Sequence, residues 1–566
     1  MRFADRAILL ALLIPAGVAA QTAPLPLKHA PAPTVPAITA ADLMTRLYIY
    51  ADDSLMGRRG GTIYNLKATD YIAREARAMG LVPAGDSGTY FQTVPLVRES
   101  VDTSSTLVVA GATLRVFDDF LPRRLRGGPI RSLDGAPVVF GGALGESDSL
   151  PPDVVRGALV VVAPPRATGP GTRRQLGALL ARFEGAAAVA FPGLENYPPQ
   201  FRNALRQPSV TMAVAGADTA PLFLQVTTAA AEQLVGGPLD GARAGATGRT
   251  VRSHLVFNSE PAPARNVVAI VPGSDPGLRG EYVAIGAHND HLGFNTSPVD
   301  HDSLRLWNHV VRPEGADDGG KQATPAQQAE VDSLLASFRA AHPGSQRLDS
   351  IDNGADDDGS GTVSVLEIAQ RIASRPARPK RSILFVWHTG EELGLLGSRW
   401  FTDHPTVPRD SIVAQLNIDM IGRGDADDEV GRTKDGTPIH GGPNYLQLVG
   451  SRRLSTELGD LVERVNREDH HGLSFDYSID ANGHPANIYC RSDHYSYARY
   501  GIPVVFFTTG IHSDYHQVTD EPEYIDYPHM ARVASLIEDI AVHVADLDHR
   551  IVVDHPKPDP NAACRQ

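Results

Sequence analysis

Cysteine is nearly absent: the 566 residues hold two, Cys490 and Cys564. That count excludes a zinc site built on thiolates. One cysteine lies near the motifs described below and the other close to the C-terminus, and a structural disulfide between them is not expected. Positive charge is also in deficit. The formal net charge is −14, Lys and Arg form no basic patch, and nucleic acid is excluded as a partner. Past the N-terminus no apolar run is long enough to span a membrane as a helix. From residue 114 to residue 245 titratable side chains are sparse and do not cluster, so that stretch is set aside in the search for chemistry.

One apolar run does occur, at the start. In MRFADRAILLALLIPAGVAAQ, Arg2 and Arg6 precede Ala7–Ile14, Pro15 ends the run, and Val18, Ala19 and Ala20 place small residues before Gln21. Residues 1–20 read as a secretory signal peptide, so a secreted or periplasmic protein is expected. No cysteine follows the cut to carry a lipid. Residues 21–36 are Pro/Ala-rich and read as an extended tether.

The rest is too long for one core. Residues 37–113 read as the N-terminal part of a catalytic domain, with helices over Ala40–Tyr50 and Asn65–Met79. Residues 114–245 read as a β-rich insert with strands such as Ala158–Val162 and Ala186–Phe191. Within it, Ala220–Val235 reads as a strand entering a short helix capped by Thr227 or Thr228. Residues 246–555 return to the catalytic domain. There buried strands (Val267–Val271, Tyr282–Gly286, Ser382–Trp387, Val413–Ile418, Pro503–Phe507) alternate with amphipathic helices. Helices are expected over Val363–Ile372, from Leu395, over Tyr445–Val465, and from Asp526 and Pro528 onward. The fold class is therefore α/β, a mostly parallel sheet with helices on both faces, whose site should lie at the carboxyl ends of strands. A polar excursion, residues 295–347, interrupts this alternation and carries a helix over Pro325–Ala340.

The stretch IDNGADDDGSGT, Ile351–Thr362, sets three aspartates on a turn that feeds a helix. Carboxylates so crowded repel one another unless a cation intervenes. Asp357 is the candidate to give one oxygen to each of two metals. The excursion holds a similar turn, EGADDGG at Glu314–Gly320, but no helix and buried strand follow it directly. Other candidates fall just after strands. GAHNDH supplies His288, with Asp290 as the carboxylate that orients its ring. TGEELGLLGS supplies Glu391 and Glu392, whose side chains should point opposite ways. LNIDMIG supplies Asp419, and DYHQVTD supplies His516 with Asp520 nearby. Three carboxylates and two neutral imidazoles balance two Zn2+ and one hydroxide, and this donor set suits zinc over calcium.

These motifs, in this order, resemble metallopeptidase family twenty-eight, the zinc exopeptidases of the aminopeptidase Y and glutamate carboxypeptidase II group. YADDSLMGRRG, GLVPAGDSGTYFQ and RSDHYSYARYGIP share in the resemblance. The insert, through GALVVV, EGAAAVAFPG and PSVTMAVAG, is similar to a protease-associated domain. The resemblance implies a peptide-cleaving enzyme with one zinc on His288 and Asp419, a second on Glu392 and His516, and Asp357 between them. It further implies Glu391 as general base and Tyr489 as a donor to the oxyanion. Aminopeptidase activity is expected, because an amine suits a carboxylate-crowded site and Arg423 and Arg491 form no basic cluster. The competing readings are a carboxypeptidase or dipeptidase on the same metal core, a glutaminyl cyclase-like enzyme with one zinc, and a scaffold protein on an inactive peptidase fold. The last should lack ligands, and none is missing. His470 and His471 in EDHHG, and His301, His309 and His342 in the excursion, read as solvated loop residues. Nothing in the motifs speaks to oligomeric state.

Overall fold

The computed structural model describes residues 25–124, 130–143, 150–163, 183, 185–197, 202, 205–213, 221–344 and 346–566. The expected signal peptide lies outside them, as do the first residues of the tether. Among the described residues no helix is long and apolar enough to cross a membrane.

The main sheet has four parallel strands at its centre, in the order Ser382–His388, Tyr282–His288, Ile412–Ile418 and Val504–Thr508. The next strand on each side runs antiparallel. Arg265–Val271 pairs with Ser382–His388, and Tyr445–Val449 pairs with Val504–Thr508. Alternate residues of one strand serve two cores, as the pleat requires. Ile383, Phe385 and Trp387 pack with the helices Ala40–Tyr50, Ile63–Ala78, Gly361–Ala373 and Tyr527–Asp546. Leu384 and Val386 pack on the other side with Phe401 and Tyr497. Both faces being covered, the central strands are mostly apolar, which is why they are visible in the sequence.

Helix ends follow local chemistry. The Thr39 side chain accepts from the Asp42 N–H, and Thr62 caps the next helix. Asp526 caps the last helix, with proline in its first turn, where a missing N–H costs nothing. One helix expected from the sequence is split. Tyr445–Val449 is a strand, Gly450 turns the chain at φ 81°, and the helix begins at Thr456 after Ser455 accepts from the Leu458 N–H. Leu446, Leu448 and Val449 are completely buried, and the adjoining strand Val504–Thr508 supplies their partners.

A second sheet of eight strands runs from Thr106–Val109 to Thr247–His254. It thus overruns the 114–245 segment at both ends, because Thr106–Val109 pairs with Thr247–His254, whose polar sequence TGRTVRSH hides a strand. A small sheet of Leu96–Val101, Ser209–Met212 and Phe257–Ala262 connects it to the main body. The excursion is similarly tied at its base: Gly293–Asp300 pairs with Leu348–Asp352, and the helices His301–Val311 and Pro325–Ala341 lie beyond.

Cys490 and Cys564 form a disulfide, contrary to the expectation from sequence. The C-terminal tail lies against the 487–490 turn, where the Gln566 N–H donates to Asn487 Oδ1 at 3.0 Å, and this contact brings the two cysteines together.

Candidate metal centre

The central strands all end on one edge, and the candidate residues collect there. Tyr282–His288 and Ser382–His388 are parallel with His288 opposite His388. The segments that follow, 289–291 and 389–392, therefore face each other. Asp419 follows Ile412–Ile418, and His516 lies in the loop after Val504–Thr508.

The acidic turn enters from the side, between Leu348–Asp352 and the helix Gly361–Ala373. Its three aspartates divide the work. Asp356 Oδ1 accepts the Gly422 N–H at 2.7 Å. Asp358 accepts the N–H groups of His288 at 2.9 Å and Gly361 at 2.8 Å. Asp357 keeps its carboxylate for the centre. Gly354 takes φ 55°, and a Cβ there would lie 2.2 Å from the Asp357 carbonyl oxygen and 2.5 Å from the His291 ring, so only glycine fits.

Asp357 presents one oxygen to each of two groups. Oδ1 is 3.0 Å from His288 Nε2, which is 3.7 Å from Asp419 Oδ1. Oδ2 is 3.0 Å from His516 Nε2, which is 3.1 Å from Glu392 Oε2. Glu391 Oε2 stands 4.0 Å from His288 Nε2, on the other side from Glu392. The structure thus brings together His288, Asp357, Glu391, Glu392, Asp419 and His516.

It adds His291. Nδ1 of this completely buried residue is 2.8 Å from Glu392 Oε1 and 4.0 Å from Asp357 Oδ2. Both of its ring nitrogens, His288 Nε2 and Glu392 Oε1 approach their neighbours without forming hydrogen bonds. Buried polar atoms left so are costly unless a cation sits among them. Imidazole nitrogens and carboxylate oxygens converging in two sets, His288/Asp357/Asp419 and His291/Asp357/Glu392, fit divalent transition-metal ions. The signal for His291 was present in GAHNDH, as a second imidazole three residues after the first.

Two expectations, on Asp290 and on Tyr489, need correction. The Asp290 carboxylate does not orient His288. The ring Nδ1 lies 3.0 Å from the Asp290 backbone oxygen instead, while Asp290 Oδ1 accepts the Glu391 N–H at 3.1 Å. Asp520 lies behind the centre and holds the acidic turn, accepting the N–H groups of Asp356 at 3.0 Å and Asp357 at 3.1 Å. Tyr489 is a core residue, packed with His494 and Tyr495 under the Arg453 guanidinium. The aromatic ring at the centre is Tyr515, stacked on His516 at 4.0 Å, its hydroxyl accepting from Arg491 at 3.1 Å.

Protonation follows the same geometry. Burial pushes the Glu391 carboxyl well up, and the charges of Glu392, Asp419 and Asp493 add to this against His288. Burial also acts on Glu392, but His516 and His291 outweigh it and hold that carboxyl at about 2. Asp357 is likewise held well down by His288 and His516 against burial. Adjacent glutamates are thus driven apart, one toward holding a proton and one toward permanent charge. Ser492 Oγ donates to Asp419 Oδ2 at 2.7 Å and accepts from Asn417 Nδ2 at 2.9 Å, which fixes Asp419.

The excursion docks on the loop that carries His516. The Ala316 N–H donates to the Tyr515 carbonyl at 3.1 Å, and Arg347 pairs with Glu523 at 2.5 Å. Its acidic turn stays outside both metal sets: Asp317 pairs with Arg491 at 2.6 Å and Asp318 with Lys321 at 2.7 Å.

An α/β sheet with two imidazole–carboxylate sets sharing one aspartate at its carboxyl edge defines a protein built around a metal centre. Residues 328–541 match the family model for peptidase family M28. Over this region the chain is similar to that family. Leucine aminopeptidase 1 of Coccidioides posadasii is 32% identical over 206 residues, 34% of this chain and 47% of that protein. Leupeptin-inactivating enzyme 1 of Streptomyces exfoliatus is 36% identical over 97 residues, 16% of this chain and 22% of that protein. The chain therefore matches less than half the length of these two relatives. Among solved structures, an aminopeptidase from Aneurinibacillus sp. strain AM-1 aligns over 92% of this chain and 97% of its own, with 15% identity and a TM-score of 0.48. A zinc aminopeptidase from Bacillus subtilis aligns over 90% and 95%, with 16% identity and a TM-score of 0.45.

Proposed function

We propose that this chain is an exported aminopeptidase with two zinc ions, one on His288 and Asp419, the other on Glu392, His516 and His291, with Asp357 shared. The observation that carries this reading is the Asp357 carboxylate, with one oxygen 3.0 Å from each of His288 and His516. When bound, the two ions supply a more acidic water and a polarised peptide carbonyl. Glu391 takes the proton of the attacking water and returns it to the leaving amine, a task suited to a carboxyl pushed up by burial. Asp290 holds the Glu391 backbone and Ser492 holds Asp419, so the acid–base group and one ligand are set before substrate arrives.

The amine end of the substrate is favoured by charge. Glu391, Glu392, Asp357 and Asp419 repel a substrate carboxylate, and the arginines nearest in sequence are engaged elsewhere. Arg423 pairs with Asp514 at 2.9 Å and Arg491 with Asp317. The eight-stranded sheet is read as a protease-associated domain, and the Cys490–Cys564 disulfide supports the export that the N-terminal sequence implies.

The test uses peptides with free and acetylated N-termini alongside metal analysis. Free peptides should be cut and acetylated copies resist, with two zinc ions per chain at the strand-end centre in the two-metal scheme. Equal rates on both peptides would remove amine recognition. A requirement for a free C-terminal carboxylate would install a carboxypeptidase in its place, and one zinc at that centre with full activity would favour the cyclase-like enzyme.

A further inference from the structure

The fold separates His470 from His471. His470 takes φ 62° and stays exposed. That left-handed residue turns His471 back beneath the helix Thr456–Glu468, where the His471 N–H donates to the Asn466 carbonyl at 3.1 Å. The His471 side chain is only 9% exposed, and its Nε2 points at Asp539 Oδ2, 3.1 Å away, without making a hydrogen bond. Asp469, the residue that caps the same helix, joins them: one ligating atom from each of Asp469, His471 and Asp539 lies within 4.8 Å of the others. His543 follows Asp539 by one turn on the helix Tyr527–Asp546, which places both on one face. Its Nε2 is 3.0 Å from Asp469 Oδ2.

We propose that Asp469, His471, Asp539 and His543 form a further zinc site, which clamps the C-terminal end of the helix Thr456–Glu468 to the last helix. Two imidazoles and two carboxylates are a charge-neutralising set for one Zn2+, and nitrogen donors select against calcium and magnesium. Two ordinary ion pairs are the competing account. Surface pairs contribute little to stability, and such pairing leaves unexplained a buried imidazole nitrogen aimed at a carboxylate without hydrogen-bond geometry. The site shares no residue with the strand-end centre, so it stands whether or not the peptidase reading does.

Zinc bound per chain is measured by atomic absorption after equilibrium dialysis of the full chain against micromolar Zn2+. Wild type is compared with His471→Gln, Asp539→Asn and His543→Ala. Each variant should bind one zinc fewer than wild type and hydrolyse peptides at the wild-type rate. His543 is half exposed, so its variant keeps the test valid should the His471 variant misfold. Equal zinc in wild type and His543→Ala overturns the site. So does loss of activity together with zinc in a folded variant, since these residues would then act on the strand-end centre.

Discussion

Removing the Cys490–Cys564 disulfide tests how far stability rests on the unfolded chain. The bridge spans a separation of 74 residues. Closing a loop of that length removes about 15 cal/mol/K of chain entropy from the unfolded state, or about 4 kcal/mol at 25 °C. The native state should change little in Cys490→Ser/Cys564→Ser, because other bonds hold the same turn. Gln566 Oε1 accepts the Tyr489 N–H at 3.0 Å, and its Nε2 donates to the Ile479 carbonyl at 2.5 Å. Ser492, two residues past Cys490, should keep its bond to Asp419. Urea unfolding of the double variant, without reductant, should therefore show a loss of about 4 kcal/mol with kcat and KM near wild type. A loss under about 1 kcal/mol, on the same entropy scale, would refute the reasoning. A fall in kcat at unchanged stability would show instead that the bridge shapes the native turn.

Glu391→Gln should keep its metal and lose about 10²–10⁴-fold in kcat, the usual worth of a general base, whereas Glu392→Gln should release metal; equal metal loss in both would erase the division of roles. Asp357→Ala should empty both sets and Asp317→Ala neither, as metal content will report. His494 is buried against Phe506, and burial pushes its pKa down to about 3. Its unfolded form takes a proton near pH 6.5, so stability is full above that value and is lost as pH falls toward 3. At pH 5 the loss is about 2 kcal/mol. His494→Phe should lose that much less than wild type between pH 7 and pH 5 in urea titrations, and parallel losses would contradict the assignment.

The readable parts of the sequence were those where one residue's setting decides its type. Ser382–His388 had to be apolar because both faces are covered, and the Asp357 turn announced itself because crowded carboxylates need a reason. His291 was missed because its meeting with Glu392 depends on the parallel register of two strands far apart in sequence. Tyr489 misled because a match of motif does not say which side of a sheet a ring occupies. The cysteine pair and the EDHHG cluster depend on where the C-terminal tail and the last helix come to rest, which local pattern does not encode. The eight-stranded sheet overran its expected limits because TGRTVRSH pairs through its backbone while its side chains remain polar.

The two long departures from the main body have one plan. Leu96–Val101 pairs with Phe257–Ala262, with Val101 opposite Phe257, and Gly293–Asp300 pairs with Leu348–Asp352, with Gly293 opposite Asp352. To the main sheet each departure is therefore a hairpin, whatever hangs from its tip. Doubling the length of a tip adds about 0.6 kcal/mol of closure entropy and need not shift a ligand. Such stems act as graft points, at which substrate range can be rebuilt by exchanging pendants while the spacing around Asp357 stays as it is. The second stem opens between His291 and Asp357 themselves, so a new pendant there would be delivered straight to the mouth of the centre.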